Sequence, residues 1–127
     1  MTEYFSDEWF ERYREAGSRL PEIAGADATI TYEVGGAPSG KVRWNETIES
    51  GRITRVDSGK RADADIAITW TFDEAQRLLQ GQTSFDASYM EGRTKVEGDY
   101  VLWILDLRAM RETDQWATFL AEVAATT

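Results

Sequence analysis

The chain has 127 residues, of which 42% are hydrophobic, and a formal net charge of −9 at pH 7. This length can bury one sizeable core, so we expect a single domain over residues 1–127, and the acidic charge disfavours nucleic acid as a partner. With no Cys and no His, the chain lacks disulfides, thiolate ligands and the usual proton shuttle, so no metal site, cofactor or catalytic group is predicted.

The first predicted element is a helix from about Asp7 to Leu20. Ser6 is its expected N-cap, and Asp7 and Glu8 would lie in the electropositive first turn. Apolar residues recur along it at helical spacing: Trp9, Phe10, Tyr13, Ala16 and Leu20. One aromatic-rich face is therefore predicted to be buried in the core rather than to contact a ligand.

Four strands are predicted next, because apolar and polar residues alternate over residues 28–34, 41–50, 52–57 and 65–71. Short connections rich in Gly and Ser separate them, and such connections usually join neighbouring antiparallel strands. The four strands are therefore predicted to form an antiparallel meander.

Glu46 interrupts the apolar face of the second strand, which otherwise carries Val42, Trp44 and Ile48. It would lie near the edge of the sheet or pair with Arg55 on the next strand. The alternative is a buried carboxylate with a raised pKa that acts as a general acid or base. The spacing of the carboxylates shows no catalytic pair. Without His or Cys, ligand binding is predicted to change little between pH 6 and 8.

The fourth strand is predicted to turn into a helix at Thr71. Thr71 and Glu74 have the spacing of a capping box, in which the carboxylate reaches back to the N–H of the cap residue. Gly81 ends this helix, because glycine adopts the left-handed conformation at little cost. A short edge strand between Gly92 and Gly98 follows.

An apolar helix, capped by Asp99, and a last helix over residues 114–125, capped by Thr113, complete the chain. The first of these is predicted to be buried on all sides, because its residues leave almost no polar face: Tyr100, Val101, Leu102, Trp103, Ile104, Leu105, Leu107 and Met110. The last carries Trp116, Phe119, Leu120 and Val123 on one face. Together the elements predict an α+β fold, with a mainly antiparallel sheet of about five strands and helices packed on one face.

The stretch from Asp65 to Leu107 contains a strand, a short helix ending in Leu78-x-x-Gly81, the segment YMEGRTKVEGD at residues 89–99, and an apolar helix. This order resembles the sterol carrier protein 2 (SCP2) family of lipid-binding domains. The resemblance implies an apolar tunnel between sheet and helices that holds a sterol, a fatty acid or a fatty acyl chain. By position, its wall would consist of Ile68, Trp70, Phe85, Tyr89, Met90, Leu102, Trp103, Leu105, Phe119 and Leu120.

Three functions stay open at this point. The first is non-catalytic binding or transfer of a hydrophobic small molecule of the sterol, fatty acid or fatty acyl-CoA class. The others are an accessory domain with a collapsed core, which could form a homodimer, and an enzyme of unrecognised type acting on a hydrophobic metabolite. No apolar run reaches the roughly 18 residues of a membrane span, so no stable membrane insertion is expected. A cytoplasmic location is predicted, because the start of the chain lacks signal-peptide features and cysteine is absent.

Overall fold

The structure, a computed structural model, describes residues 4–38, 40–59, 63–103 and 107–123. Its elements, in chain order, are α1 Asp7–Gly17, β1 Ala28–Ala37, β2 Gly40–Glu49, β3 Arg52–Ser58, β4 Ile66–Thr71, α2 Phe72–Leu79, α3 Phe85–Met90, β5 Lys95–Gly98, α4 Arg108–Arg111 and α5 Asp114–Glu122. The predicted α+β fold is confirmed. The first helix is shorter than predicted, since it ends at Gly17 instead of Leu20.

The five strands form one mixed sheet in the order β3-β2-β1-β4-β5. Three of the four pairings are antiparallel, but β1 and β4 run parallel, with Ile30 opposite Ile66 and Val34 opposite Trp70. The predicted meander is therefore wrong at its fourth strand. β4 pairs instead with the inner strand β1, where its side chains Ile66, Ile68 and Trp70 are buried, and the short connection after β3 does not specify that partner.

One face of the sheet is covered by helices and carries the core. Along β1 the buried residues alternate with half-buried ones, as expected for a strand with one covered face. Trp9 and Tyr13 of α1 are buried, at 0% and 5% exposure, which confirms their predicted place in the core. The indole Nε1 of Trp9 donates to the carbonyl of Val123 at 2.6 Å, so α1 is tied to the end of α5.

The predicted helix caps are present in the structure. Side-chain oxygens of Ser6, Thr71 and Thr113 accept from backbone N–H groups in the first turns of α1, α2 and α5. The capping box at Thr71 is only half formed, because the carboxylate of Glu74 turns inward to other partners.

The apolar stretch after Asp99 is not buried on all sides. Asp99 Oδ1 accepts from the N–H of Leu102 at 3.1 Å, as expected of a cap. The turn that follows leaves Tyr100 and Val101 exposed by 54% and 47%, while Trp103 is 1% exposed. The prediction of burial all round is therefore wrong here, because only one side of this turn meets the core. Ile104 and Leu105 lie outside the described residues.

Candidate functional site

The ten residues predicted to line a tunnel fall into three groups. Four are buried in the core: Ile68, Trp70, Trp103 and Phe119. Four are half-buried: Phe85, Tyr89, Leu102 and Leu120. Met90 is 84% exposed, so it faces solvent instead of an interior wall, and Leu105 lies outside the described residues.

Phe85, at the start of α3, is the centre of an aromatic cluster. Its ring centroid lies 5.9 Å from that of Trp70 on β4, 6.2 Å from that of Trp103 and 5.9 Å from that of Trp116 on α5. Trp116 in turn packs on Phe119 at 4.9 Å. These rings fill the space between β4 and α5, so in this region the described side chains pack against one another.

A cavity of about 590 Å³ lies beside this cluster, and we name it the C-terminal cleft. Its apolar wall consists of Leu78, Phe85, Trp116, Ala117 and Leu120. Its polar rim and base consist of Gly81, Gln82, Thr83, Ser84, Asp86, Arg108, Arg111, Glu112 and Thr113. The volume is within the range of about 300–1,000 Å³ that is usual for small-molecule sites.

Only Phe85 and Leu120 of the ten predicted residues line the C-terminal cleft. Trp116 was missed, although its spacing of four residues from Leu120 placed both on one helical face. Leu78 was also missed, although it belongs to the Leu-x-x-Gly motif. The sequence therefore contained patterns that could have identified both Trp116 and Leu78 as lining residues.

Arg111 carries a buried guanidinium at the floor of the cleft, with its side chain 10% exposed. The group lies over the ring of Trp103 at 4.4 Å and donates to the carbonyl of Trp103 at 2.9 Å. Its contact with Asp86 is long, at 3.5 Å. Burial lowers the pKa of Arg111, and the nearby Asp86 opposes that effect. No sequence pattern indicated this residue, because its role depends on long-range packing.

Arg108 is the second cation of the cleft and lies exposed at its rim. It pairs with Glu112 at 2.9 Å and approaches Asp86 at 3.4 Å. Two guanidinium groups and two carboxylates therefore border an apolar wall. Such an arrangement suits a ligand with an apolar body and one polar group.

Glu46 forms a buried polar cluster away from the cleft. Its side chain accepts hydrogen bonds from the hydroxyls of Tyr13 and Tyr32, the latter at 3.1 Å. Burial raises the pKa of Glu46 to about 7, and the two tyrosine hydrogen bonds only partly oppose this rise. Both predicted locations were wrong: β2 is an inner strand, and Arg55 pairs with Asp57 at 2.7 Å.

Glu74 forms a second buried polar cluster, which joins α2 to α3 and to the turn before β5. It accepts from the hydroxyl of Ser88 at 2.6 Å and contacts Arg77 at 3.0 Å and Arg93 at 3.1 Å. Burial acts to raise the pKa of Glu74, but these hydrogen bonds and cations outweigh it, so the pKa is lowered. The cluster holds α2 and α3 together, and these two helices contribute Leu78 and Phe85 to the cleft.

Among the described residues, no group of three or more His, Cys, Asp or Glu side chains is placed to hold a metal ion. Within the same ranges, no helix combines the length and apolar character that a membrane crossing requires.

The fold and the cleft define a small α+β domain in which helices cover one face of a five-stranded mixed sheet and an aromatic core borders a cleft. The chain belongs to the SCP-2 sterol transfer family, which matches residues 7–103. This confirms the resemblance to the SCP2 family that the stretch from Asp65 to Leu107 indicated. A comparison with curated protein sequences gives no match.

Several solved structures share the fold. A crystal structure of sterol carrier protein 2 is similar with a TM-score of 0.71 and 15% identity, covering 98% of this chain and 100% of that one. Sterol carrier protein 2 like 2 from Aedes aegypti gives 0.65 and 15%, with 84% and 94% covered. The palmitated form of that protein gives 0.66 and 15%, with 82% and 92% covered. At such identities the likeness shows the fold alone.

Proposed function

We propose that the chain binds or transfers a hydrophobic small molecule in the C-terminal cleft and does no chemistry on it. The observation that carries the proposal is the cleft itself, with about 590 Å³ bordered by an apolar wall and a polar rim. Membership of the SCP-2 sterol transfer family supports lipid binding in general terms. We propose the sterol, fatty acid or fatty acyl-CoA class as the ligand.

The proposed pose follows from the chemistry of the cleft. The apolar body would lie against Phe85, Trp116 and Leu120, and the polar group would lie at the rim near Arg108 and Arg111. Each buried CH₂ group contributes about 0.8 kcal/mol, which is about a fourfold change in Kd. Affinity should therefore rise with chain length until the apolar wall is covered.

The proposal gives Glu46 no part in ligand chemistry. Glu46 is 3% exposed and is not among the residues that line the cleft. A general acid or base must come within hydrogen-bond reach of its substrate. Glu46, the carboxylate considered for acid–base chemistry, therefore gives the enzyme hypothesis no support.

Thermal unfolding with dodecanoic acid, dodecanol and cholesterol tests the proposal, each used below its aggregation range. At least one should raise the melting temperature in a dose-dependent way. A ligand at a hundred times its Kd stabilises by about 2.7 kcal/mol, or roughly 10 °C for a domain of this size.

A cavity-filling variant tests whether the ligand binds in the C-terminal cleft. Ala117 lines the cleft and is exposed, so Ala117→Phe should occupy the apolar wall and remove the ligand response with little loss of stability. Thr118→Phe is the matched control, because Thr118 is exposed on the same helix and does not line the cleft. Equal responses of the two variants would place binding elsewhere.

A second candidate function, an accessory domain with a filled core, has one observation in its favour. The ring of Tyr32 stacks on Trp44 at 4.6 Å and lies 5.2 Å from Trp70, so aromatic side chains occupy the space between this part of the sheet and the helices. No thermal shift with any of the three ligands, together with a stable dimer in sedimentation, would favour this alternative.

The single domain and the cytoplasmic location stay predictions.

A further inference from the structure

The N-terminal plug, which we define as Tyr4 and Phe5, precedes α1 and packs on the core with a strained backbone. Phe5 has a φ of 68°, a left-handed conformation that bulky residues rarely adopt. Its ring centroid lies 5.1 Å from that of Trp44, 5.2 Å from that of Trp9 and 6.0 Å from that of Phe72. A strained residue thus fills an aromatic slot formed by α1, β2 and the start of α2.

Trp44, in this slot, has an unusual polar environment. It is 1% exposed, and within the described ranges its Nε1 has no hydrogen-bond partner. The indole nitrogens of two other buried tryptophans do donate, Trp9 to a backbone carbonyl at 2.6 Å and Trp70 to Thr94 at 2.9 Å. Buried indole N–H groups usually have a partner, so an unpaired one requires an explanation.

The plug also contains a buried polar group without a hydrogen-bond partner in the described part of the chain. The hydroxyl oxygen of Tyr4 is buried and, in the part of the chain that the structure describes, has no hydrogen-bond partner. Backbone strain and two unpaired buried groups therefore coincide in a few neighbouring side chains. A segment evolved only to complete the core would be expected to satisfy these groups.

We propose that the plug occupies a second ligand site on Trp44, and that a flat aromatic molecule with a carbonyl or ether oxygen displaces Phe5 and accepts a hydrogen bond from Trp44 Nε1. The shape follows from the rings, because Phe5 lies at 31° and Tyr32 at 12° to the indole plane. The ligand needs an oxygen because the N–H of Trp44 Nε1 is a donor without an acceptor among the described residues. Neither Phe5 nor Trp44 lines the C-terminal cleft, so the site is independent of the proposed function.

Two probes of the same shape test the hydrogen bond. Acetylnaphthalene carries a carbonyl oxygen, and isopropenylnaphthalene, with the same ring position, carries a CH₂ group in its place. Proton–nitrogen NMR resolves the indole signals of the five tryptophans, and Trp44→Phe assigns the signal of Trp44. We expect acetylnaphthalene to move that signal downfield and to bind about fivefold more tightly than isopropenylnaphthalene. In Trp44→Phe the two probes should bind equally.

Variants of Phe5 test the displacement. Phe5→Ala empties the slot, so both probes should bind roughly tenfold more tightly than to the unchanged protein. Phe5→Leu is the matched control, because leucine refills the slot and should leave the affinity within about twofold of the original. Dispersed amide signals establish that each variant is folded.

The outcomes separate this site from the cleft. A probe that moves the indole signal of Trp116 but not that of Trp44 overturns this inference and supports the cleft. Equal affinity of the two probes for the unchanged protein, or unchanged affinity in folded Phe5→Ala, also overturns it. If Phe5→Ala does not fold, the comparison of both probes on the unchanged protein and on Trp44→Phe decides the matter.

Discussion

Glu46→Gln should remove a pH dependence of stability that the structure places near neutrality. Burial raises the pKa of Glu46 from 4.5 to about 7. A shift of this size corresponds to about 3 kcal/mol between the protonated and ionised forms. Burial also raises the pKa values of Tyr13 and Tyr32 well above 10, so both hydroxyls stay protonated as donors.

The sign follows from proton binding in the two states. Between pH 4.5 and about 7 the folded protein holds a proton on Glu46 that the unfolded chain has lost, so stability falls as the pH rises. Below pH 4.5 the ionisation of Glu46 does not lower the free energy of unfolding, and above about pH 7 the free energy of unfolding is lowered by a constant amount. The glutamine side chain in the variant cannot ionise. The free energy of unfolding of Glu46→Gln, relative to the unchanged protein, should therefore rise by roughly 2 to 3 kcal/mol from pH 5 to pH 8.

Urea unfolding at pH 5, 6, 7 and 8, followed by circular dichroism, measures this difference at each pH. Glu49→Gln is the matched control, because it makes the same change at an exposed carboxylate on the same strand. If the difference for Glu46→Gln is constant across this range, the carboxylate is not held protonated by its burial and the reasoning is refuted.

Two further predictions concern the segment around β5 and can be measured by the same urea titrations. Gly98→Ala should destabilise the fold by about 1 kcal/mol or more, because φ is 91° and an added Cβ would lie 2.5 Å from a backbone oxygen. Gly92→Ala should cost less, because Gly92 has a φ of 78° but open space around the added Cβ. A larger loss of stability in Gly92→Ala than in Gly98→Ala would contradict this account. Ser88→Ala removes a donor 2.6 Å from buried Glu74 and should cost about 1–3 kcal/mol, whereas a neutral result would show that water or Arg93 replaces the hydroxyl.

Local signals in the sequence predicted local structure well. Ser6, Thr71 and Thr113 cap the helices that they were predicted to cap, because a cap depends on a side chain and a backbone N–H only three residues apart. The edge strand predicted between Gly92 and Gly98 is present as β5, and both glycines have a positive φ. The strands also lie where the alternation placed them, since one face of the sheet is covered.

Long-range pairing could not be predicted in the same way. The parallel contact of β4 with β1 joins residues about 36 positions apart, as in the pair Ile30 and Ile66, and no turn residue reports it. The environment of Glu46 could not be predicted from the sequence for the same reason. Its hydrogen-bond donors Tyr13 and Tyr32 come from α1 and β1, so its burial and raised pKa depend on how those elements pack. The prediction that ligand binding changes little between pH 6 and 8 stays a prediction, because Glu46 does not line the C-terminal cleft.

The candidate site was predicted in part for related reasons. Phe85 and Leu120 line the C-terminal cleft, but their neighbour Arg111 was missed because an isolated arginine has no pattern. Met90 matched the family motif and yet is 84% exposed, since the end of α3 turns it to solvent. A motif fixes the order of elements, whereas the side chains that border a cavity depend on the angle at which those elements pack.

Among the described residues, the packed aromatic rings and the lateral cleft together avoid a cost that a closed tunnel would impose. An empty apolar cavity destabilises by about 24 cal/mol per Å³, so roughly 300 Å³ of closed tunnel would cost about 7 kcal/mol. Net stabilities of small domains are only about 5–15 kcal/mol. Here aromatic rings fill the space behind Phe85, and the cleft lies beside them with exposed Arg108 and Glu112 at its rim, where water can enter. We therefore expect the chain to fold without a ligand. Ligand stabilisation should then follow concentration and Kd by mass action instead of restoring a collapsed core.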